Sequence, residues 1–89
     1  MNLDAQMKIA ANIRYLRNVF GYTQAEVSDS LHICRSTYAL FEAGKKVPGA
    51  DVLLDLAEFY HVHVSTVLQT SNEQIIADAL YAKESNETL

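Results

Sequence analysis

Apolar residues recur at helical spacing from the beginning of the chain. A first helix is predicted from about Asp4 to Phe20, because its apolar residues are separated by four, three and four positions: Ile9, Ile13, Leu16 and Phe20. Gly21 follows directly, in the position that glycine favours just beyond a helix. This pattern indicates an amphipathic helix that covers a core with one face.

Two short helices with a very tight joint are predicted next. Thr23 and Glu26 have the spacing of a capping box, which opens a helix of about eight residues. After a joint at His32, a second short helix runs from about Arg35 to Glu42. Two helices joined in this way, over residues 23–42, are typical of a helix-turn-helix.

The rest of the chain is also predicted to be helical. Helical spacing predicts a fourth helix over 51–60 and a fifth over 64–68, and a second capping-box pattern at 71–74 opens a last amphipathic helix. No stretch alternates in the manner of a strand. We therefore predict an all-α fold with five helices and an additional C-terminal helix, divided into a domain at 1–69 and a helix with a polar tail at 70–89.

Three segments resemble a known family: 24–28 (QAEVS), 33–38 (ICRSTY) and 41–48 (FEAGKKVP). Together with Arg14 and Arg17, these segments are similar in order and spacing to the Cro/XRE-type, lambda-repressor-like DNA-binding family. The resemblance extends from about Ile13 to Leu68. It implies a compact five-helix bundle of that type, whose second motif helix enters the major groove of DNA.

The resemblance also implies roles for individual residues. Those expected to face base edges are Arg35, Ser36, Ala39 and Leu40, and those expected to contact phosphate are Gln24, Thr37, Arg14, Lys45 and Lys46. Arg17 and Glu42 are expected to form a structural pair that braces the first helix against the recognition helix. The alternative for the cations is plain solubilising charge, and for Gln24 a role only at the helix start.

The sequence departs from the family pattern at several positions. His32 and His61 stand where a left-handed glycine is usual, and Cys34 replaces the usual serine or threonine cap. Tyr38 is expected in the core, with its hydroxyl reaching the surface. These departures affect the pose of the recognition helix more than the fold.

Charge divides the chain into two halves. The 89 residues carry a net charge of −4, but residues 1–49 sum to +2 and residues 50–89 to −6. Fields act over about 8–10 Å at physiological salt, so the basic half can face a polyanion. Because the chain is acidic overall and its basic half sums to only +2, we predict weak non-specific DNA affinity and greater dependence on base contacts.

Other classes of protein are disfavoured. Asp29, Ser30 and His32 lack the elbow and oxyanion-hole motifs of a hydrolase, so we predict no enzyme. The histidines and Cys34 do not have the spacing of a closed zinc site, so neither a metal nor another cofactor is expected. A single cysteine indicates a reducing compartment, and no apolar stretch is long enough to span a membrane.

The combined expectation is a small prokaryotic or phage transcriptional regulator. It would lie in the cytoplasm, associated with the nucleoid, and bind operator DNA as a homodimer. The candidate dimer interface, which could instead pack on the chain's own core, is the apolar side of the last helix: Ile75, Ile76, Ala79 and Leu80. The alternative function is a protein-interaction module on the same fold, antitoxin-like or binding a regulator, with weak or no DNA binding.

Overall fold

A computed structural model of the protein describes residues 3–68, 80, 81 and 84. Its helices are α1 (Leu3–Phe20), α2 (Gln24–Ser30), α3 (Arg35–Glu42), α4 (Ala50–Tyr60) and α5 (Val64–Leu68). Leu80, Tyr81 and Glu84 are also helical, and no strand occurs in the described part of the chain. The all-α prediction is confirmed, and the predicted starts of α1 and α4 differ by one residue from those observed. Most of the predicted sixth helix, including Ile75, Ile76 and Ala79, lies outside the described residues.

All five helices contribute to one apolar core. α1 packs against α3 and α5, α2 packs against α3, and α4 packs against α5. The core consists of Ile9, Ile13, Leu16, Val27, Tyr38, Phe41, Leu56, Ala57, Tyr60 and Val67. The apolar spacing noticed in α1 is therefore the spacing of its buried face, with the exception of the half-buried Phe20.

Four helices end in the same hydrogen-bonded turn, the Schellman motif. After α3, the Gly44 amide donates to the Phe41 carbonyl at 3.2 Å and the Lys45 amide donates to the Leu40 carbonyl at 3.0 Å. α1, α2 and α4 end with the same pair of bonds, and the left-handed residue is Gly21, His32 and His61 respectively. This geometry satisfies carbonyls that the helix leaves unpaired and turns the chain sharply.

The two histidines adopt the conformation expected of them. His32 has φ 57° and His61 has φ 58°, both in the left-handed region that costs a residue with a Cβ roughly 1–2 kcal/mol. The tight turn between α2 and α3 is thus made by a strained non-glycine residue. The short joint of the helix-turn-helix is retained at some expense in stability.

The expectation for the Tyr38 hydroxyl was wrong. Tyr38 and Tyr60 are both fully buried, and among the described residues their hydroxyl oxygens have no partner of acceptable hydrogen-bond geometry. Burial raises the pKa of both phenols well above the ordinary value of 10.0, and the charge of the nearby Glu42 acts in the same direction. Tyr38 has no exposed surface, and its hydroxyl lies beside Glu42 and not in water.

Candidate nucleic-acid interface

α3 has one face in the core and the other in solvent. Tyr38, Phe41 and Glu42 are buried, whereas Arg35 and Ser36 in the first turn are exposed. Leu40, one turn after Ser36, is 41% exposed although it is a large apolar residue. The helix therefore presents a free outer face that begins at its N-terminal turn.

The four predicted base-reading residues share this outer face. Arg35, Ser36 and Leu40 are exposed and Ala39 is half-buried between them. Their spacing of one, three and one positions places them together on one side of a helix. Cys34, the N-cap, is exposed, and its side chain accepts no hydrogen bond from the first-turn amides of α3.

The residues predicted to contact phosphate differ in their exposure to solvent. Arg14, Lys45 and Lys46 are exposed, and Thr37 is half-buried. Gln24 is half-buried and its Nε2 donates to the Glu42 Oε1 at 3.2 Å. An amide nitrogen carries two hydrogens, so Gln24 keeps one donor while the other is used inside the protein.

The N-terminus of α2 is fixed by the predicted capping box. The Glu26 amide donates to the Thr23 hydroxyl at 3.1 Å, and the Thr23 amide donates to the Glu26 carboxylate at 2.9 Å. Both bonds lock the entry of the chain into α2, and with it the position of Gln24. The prediction made from the spacing of these two residues is confirmed.

Glu42 joins α3 to both neighbouring helices. Arg17 on α1 donates from Nε to the Glu42 Oε2 at 2.7 Å and from a terminal nitrogen to the Oε1 at 3.0 Å, while Gln24 on α2 donates to the same Oε1. Burial by itself raises the pKa of Glu42, but the hydrogen bonds, foremost those from Arg17, outweigh it and leave the pKa below its ordinary value of 4.5. The hydrogen bond to Glu42 also raises the pKa of Arg17.

Besides the Gln24–Glu42 bond, two further hydrogen bonds near the site were not predicted. Gln6 on α1 donates to the Gly44 carbonyl at 2.7 Å, and Arg17 donates to the Tyr22 carbonyl at 2.9 Å. Gln6 lies seven positions, or about two helical turns, before Ile13 and therefore on the inward face of α1. Its position in the helical pattern could thus have indicated that it contacts another part of the fold. No sequence pattern indicated the Tyr22 carbonyl, because every residue carries the same backbone acceptor.

Other kinds of site receive no support from the described residues. None of the helices in this part of the chain combines the length and apolar character needed to cross a bilayer. Within the same residues, no three His, Cys, Asp or Glu side chains are placed to hold a metal ion.

The chain matches the family model of the helix-turn-helix domain over residues 10–73. This match extends from the middle of α1 past the end of α5 and includes α2, the left-handed turn and α3. Neither a curated protein nor a solved structure matches the chain. Because the family model covers well over half of the 89 residues and the structure has the corresponding helices, the chain belongs to the DNA-binding helix-turn-helix family.

Proposed function

We propose that the protein is a transcriptional regulator of the Cro/XRE type, from a prokaryote or phage, that binds operator DNA sequence-specifically. The observation that carries this proposal is the outer face of α3, where Arg35 and Ser36 begin the helix and are exposed to solvent. The fork of an arginine at such a position can donate to both acceptors of a guanine, a contact worth about 1–3 kcal/mol of discrimination.

Ala39 and Leu40 complete the reading surface in this proposal. An exposed leucine on a helix that is otherwise well packed is suited to apolar contact with a thymine methyl group. Arg14, Thr37, Lys45, Lys46 and the second donor of Gln24 then contact the phosphate backbone. Phosphate contacts of this kind position a protein on the duplex and carry no sequence information directly.

We further propose that the protein acts as a homodimer through its C-terminal segment. In this view residues 1–69 form the DNA-binding domain, and residues 70–89 form the helix and tail that pair two subunits. Leu80 is 48% exposed and Tyr81 is 74% exposed, which supports a covering partner for this segment. A two-fold dimer would read half-sites roughly 34 Å apart and would double the number of contacts to DNA.

Its proposed place is the cytoplasm, in association with the nucleoid. Control of a promoter would then be steric or contact-based.

Selection of binding sites from random duplex DNA tests the function directly. The full chain is incubated with the library at about 50 mM and about 200 mM salt, between which purely electrostatic binding falls steeply. We expect a palindromic motif to be enriched at both concentrations. Absence of enrichment at the lower concentration would contradict the proposal and favour the protein-interaction module.

A further inference from the structure

An open cleft lies between the end of α2 and the end of α4, apart from the outer face of α3. Its volume is about 610 Å³, and its lining comes from the Tyr22 loop, the turn after α2 and the last two turns of α4. The lining residues are Tyr22, Ser30, Leu31, His32, Asp55, Glu58, Phe59 and His61. This cleft contains none of the residues assigned to DNA contact.

The charge in the cleft has one sign. Among the described residues that line it, the acidic ones are Asp55 and Glu58, and none is a lysine or an arginine. Both carboxylates are exposed on α4, in the half of the chain that sums to −6. Such a lining repels phosphate and attracts a cation. The cleft is therefore not an extension of the DNA-binding surface.

Aromatic rings stand beside these carboxylates. Tyr22 and Phe59 contact each other with ring centroids 5.1 Å apart, and Tyr22 is 37% exposed. A guanidinium group is planar and weakly hydrated, so it can stack on an aromatic face while its edge donates to a carboxylate. This combination suits arginine better than lysine, whose compact ammonium is more strongly hydrated.

The openness of the cleft indicates a macromolecular ligand. Ser30, His32, Asp55, Glu58 and His61 are all exposed. A small molecule in such a cleft cannot bury most of its surface, which is how small-ligand sites obtain their affinity. An arginine carried on a protein surface can add contacts around the rim. Leu54, one turn before Glu58 on α4 and 57% exposed, offers apolar area for such contacts.

We infer that the cleft between α2 and α4 is a docking site for an arginine side chain of a partner protein. Glu58 and Asp55 accept from the guanidinium, Tyr22 and Phe59 supply the aromatic wall, and Leu54 extends the contact surface. The inference does not depend on DNA binding, because the two surfaces share no residue. A regulator built in this way binds DNA through α3 and a partner protein through the cleft between α2 and α4.

The test uses the pentapeptide acetyl-Leu-Ala-Arg-Ala-Leu-amide and its citrulline counterpart, in which a neutral ureido group replaces the guanidinium. Each is titrated into the full isotope-labelled chain without DNA, and binding is followed through backbone amide chemical shifts. We expect the arginine peptide to shift the amides of 30–32 and 55–61, and the citrulline peptide to bind about tenfold or more weakly. Equal binding of the two peptides would overturn the inference.

Substitutions in the chain distinguish binding in the cleft from non-specific attraction to acidic side chains. Glu58→Gln and Asp55→Asn should each weaken the arginine peptide about two- to fivefold. Asp51→Asn removes the same charge from the same helix outside the cleft and should leave the affinity nearly unchanged. An effect of Asp51→Asn as large as that of Glu58→Gln would show non-specific attraction and would also overturn the inference.

Discussion

Arg17 and Glu42 form a two-bond ion pair between α1 and α3, with nitrogen–oxygen distances of 2.7 and 3.0 Å. The two ends of the pair are buried unequally: the Arg17 side chain is 16% exposed and the Glu42 side chain 3%. Arg17 also donates to the Tyr22 carbonyl, whereas the carboxylate depends on Arg17 and Gln24. Loss of one partner therefore has different consequences from loss of the other.

Replacing Arg17 should be the more damaging change. Arg17→Met leaves a buried carboxylate with one hydrogen bond, and we expect the free energy of unfolding to fall by about 3–5 kcal/mol. Glu42→Gln leaves a cation that can still reach water, and a fall of about 1–3 kcal/mol is expected. Urea unfolding followed by circular dichroism measures both losses, with the exposed Arg14→Met on the same helix as control. A larger loss in Glu42→Gln would refute this account of the pair.

Acid should remove part of the stability through Glu42. Its pKa is lower in the folded protein than the ordinary value of 4.5, so the unfolded chain binds the proton more readily. The contribution is complete above pH 4.5 and is lost as the pH falls from there through the folded pKa. Unfolding curves from about pH 6 to about pH 3 should therefore show a steeper loss in the wild type than in Glu42→Gln. Parallel curves for the two proteins would contradict the lowered pKa.

Arg35 and Lys45 should affect DNA binding in different ways. Arg35→Ala should relax discrimination at one base position by about 1–3 kcal/mol, because it removes a base contact. Lys45→Ala should weaken binding to all sequences alike and reduce the salt slope by about one, because it removes a phosphate contact. Fluorescence anisotropy with the selected site and single-base variants distinguishes these results. The control is Lys8→Ala, which changes an exposed residue outside the proposed contacts. Uniform weakening by Arg35→Ala together with lost discrimination by Lys45→Ala would contradict the roles assigned to the two residues.

The strained histidines should be replaceable with a gain in stability. His32→Gly and His61→Gly relieve a left-handed penalty of about 1–2 kcal/mol and add roughly 0.5–1 kcal/mol of backbone entropy loss. A net gain of up to about 1.5 kcal/mol each is expected in thermal or urea unfolding.

The native glycines at the matching positions provide the opposite control. Gly21→Ala has open space around its new Cβ, and at Gly44 the new Cβ would displace only the end of the flexible, exposed Met7 side chain, so both changes should cost mainly backbone strain. Destabilisation by both histidine replacements would show that the imidazoles make compensating contacts.

The C-terminal segment should control the oligomeric state. The core of the described residues lies between Ile9 and Val67, so a chain that ends at Gln69 retains it. We expect sedimentation to give a dimer for the full chain and a monomer for the shortened one, because only the full chain keeps the proposed interface. Identical monomeric masses at micromolar concentration would exclude the dimer proposal.

The features that could be predicted best from the sequence are local ones. The Thr23–Glu26 capping box, the limits of α3 and the left-handed turns at His32 and His61 all depend on residues a few positions apart, and each is present in the structure. The Arg17–Glu42 pair was implied only by family resemblance, and its two-bond geometry confirms it.

The remaining features join residues far apart in the chain. The Gln24–Glu42 and Gln6–Gly44 hydrogen bonds, the enclosure of the Tyr38 hydroxyl and the cleft beside Glu58 depend on how helices are placed relative to each other.

The sequence by itself determined the helices, their ends and the helix-turn-helix, because these depend on spacing, caps and turn residues within one or two turns. It also located the acidic charge in residues 50–89. Only the tertiary structure decided that Gln24 also binds Glu42, that the Tyr38 hydroxyl is enclosed, and where part of that acidic charge meets aromatic rings. Helix packing decides these features, since side chains separated by 18 to 38 positions become neighbours only when the core closes.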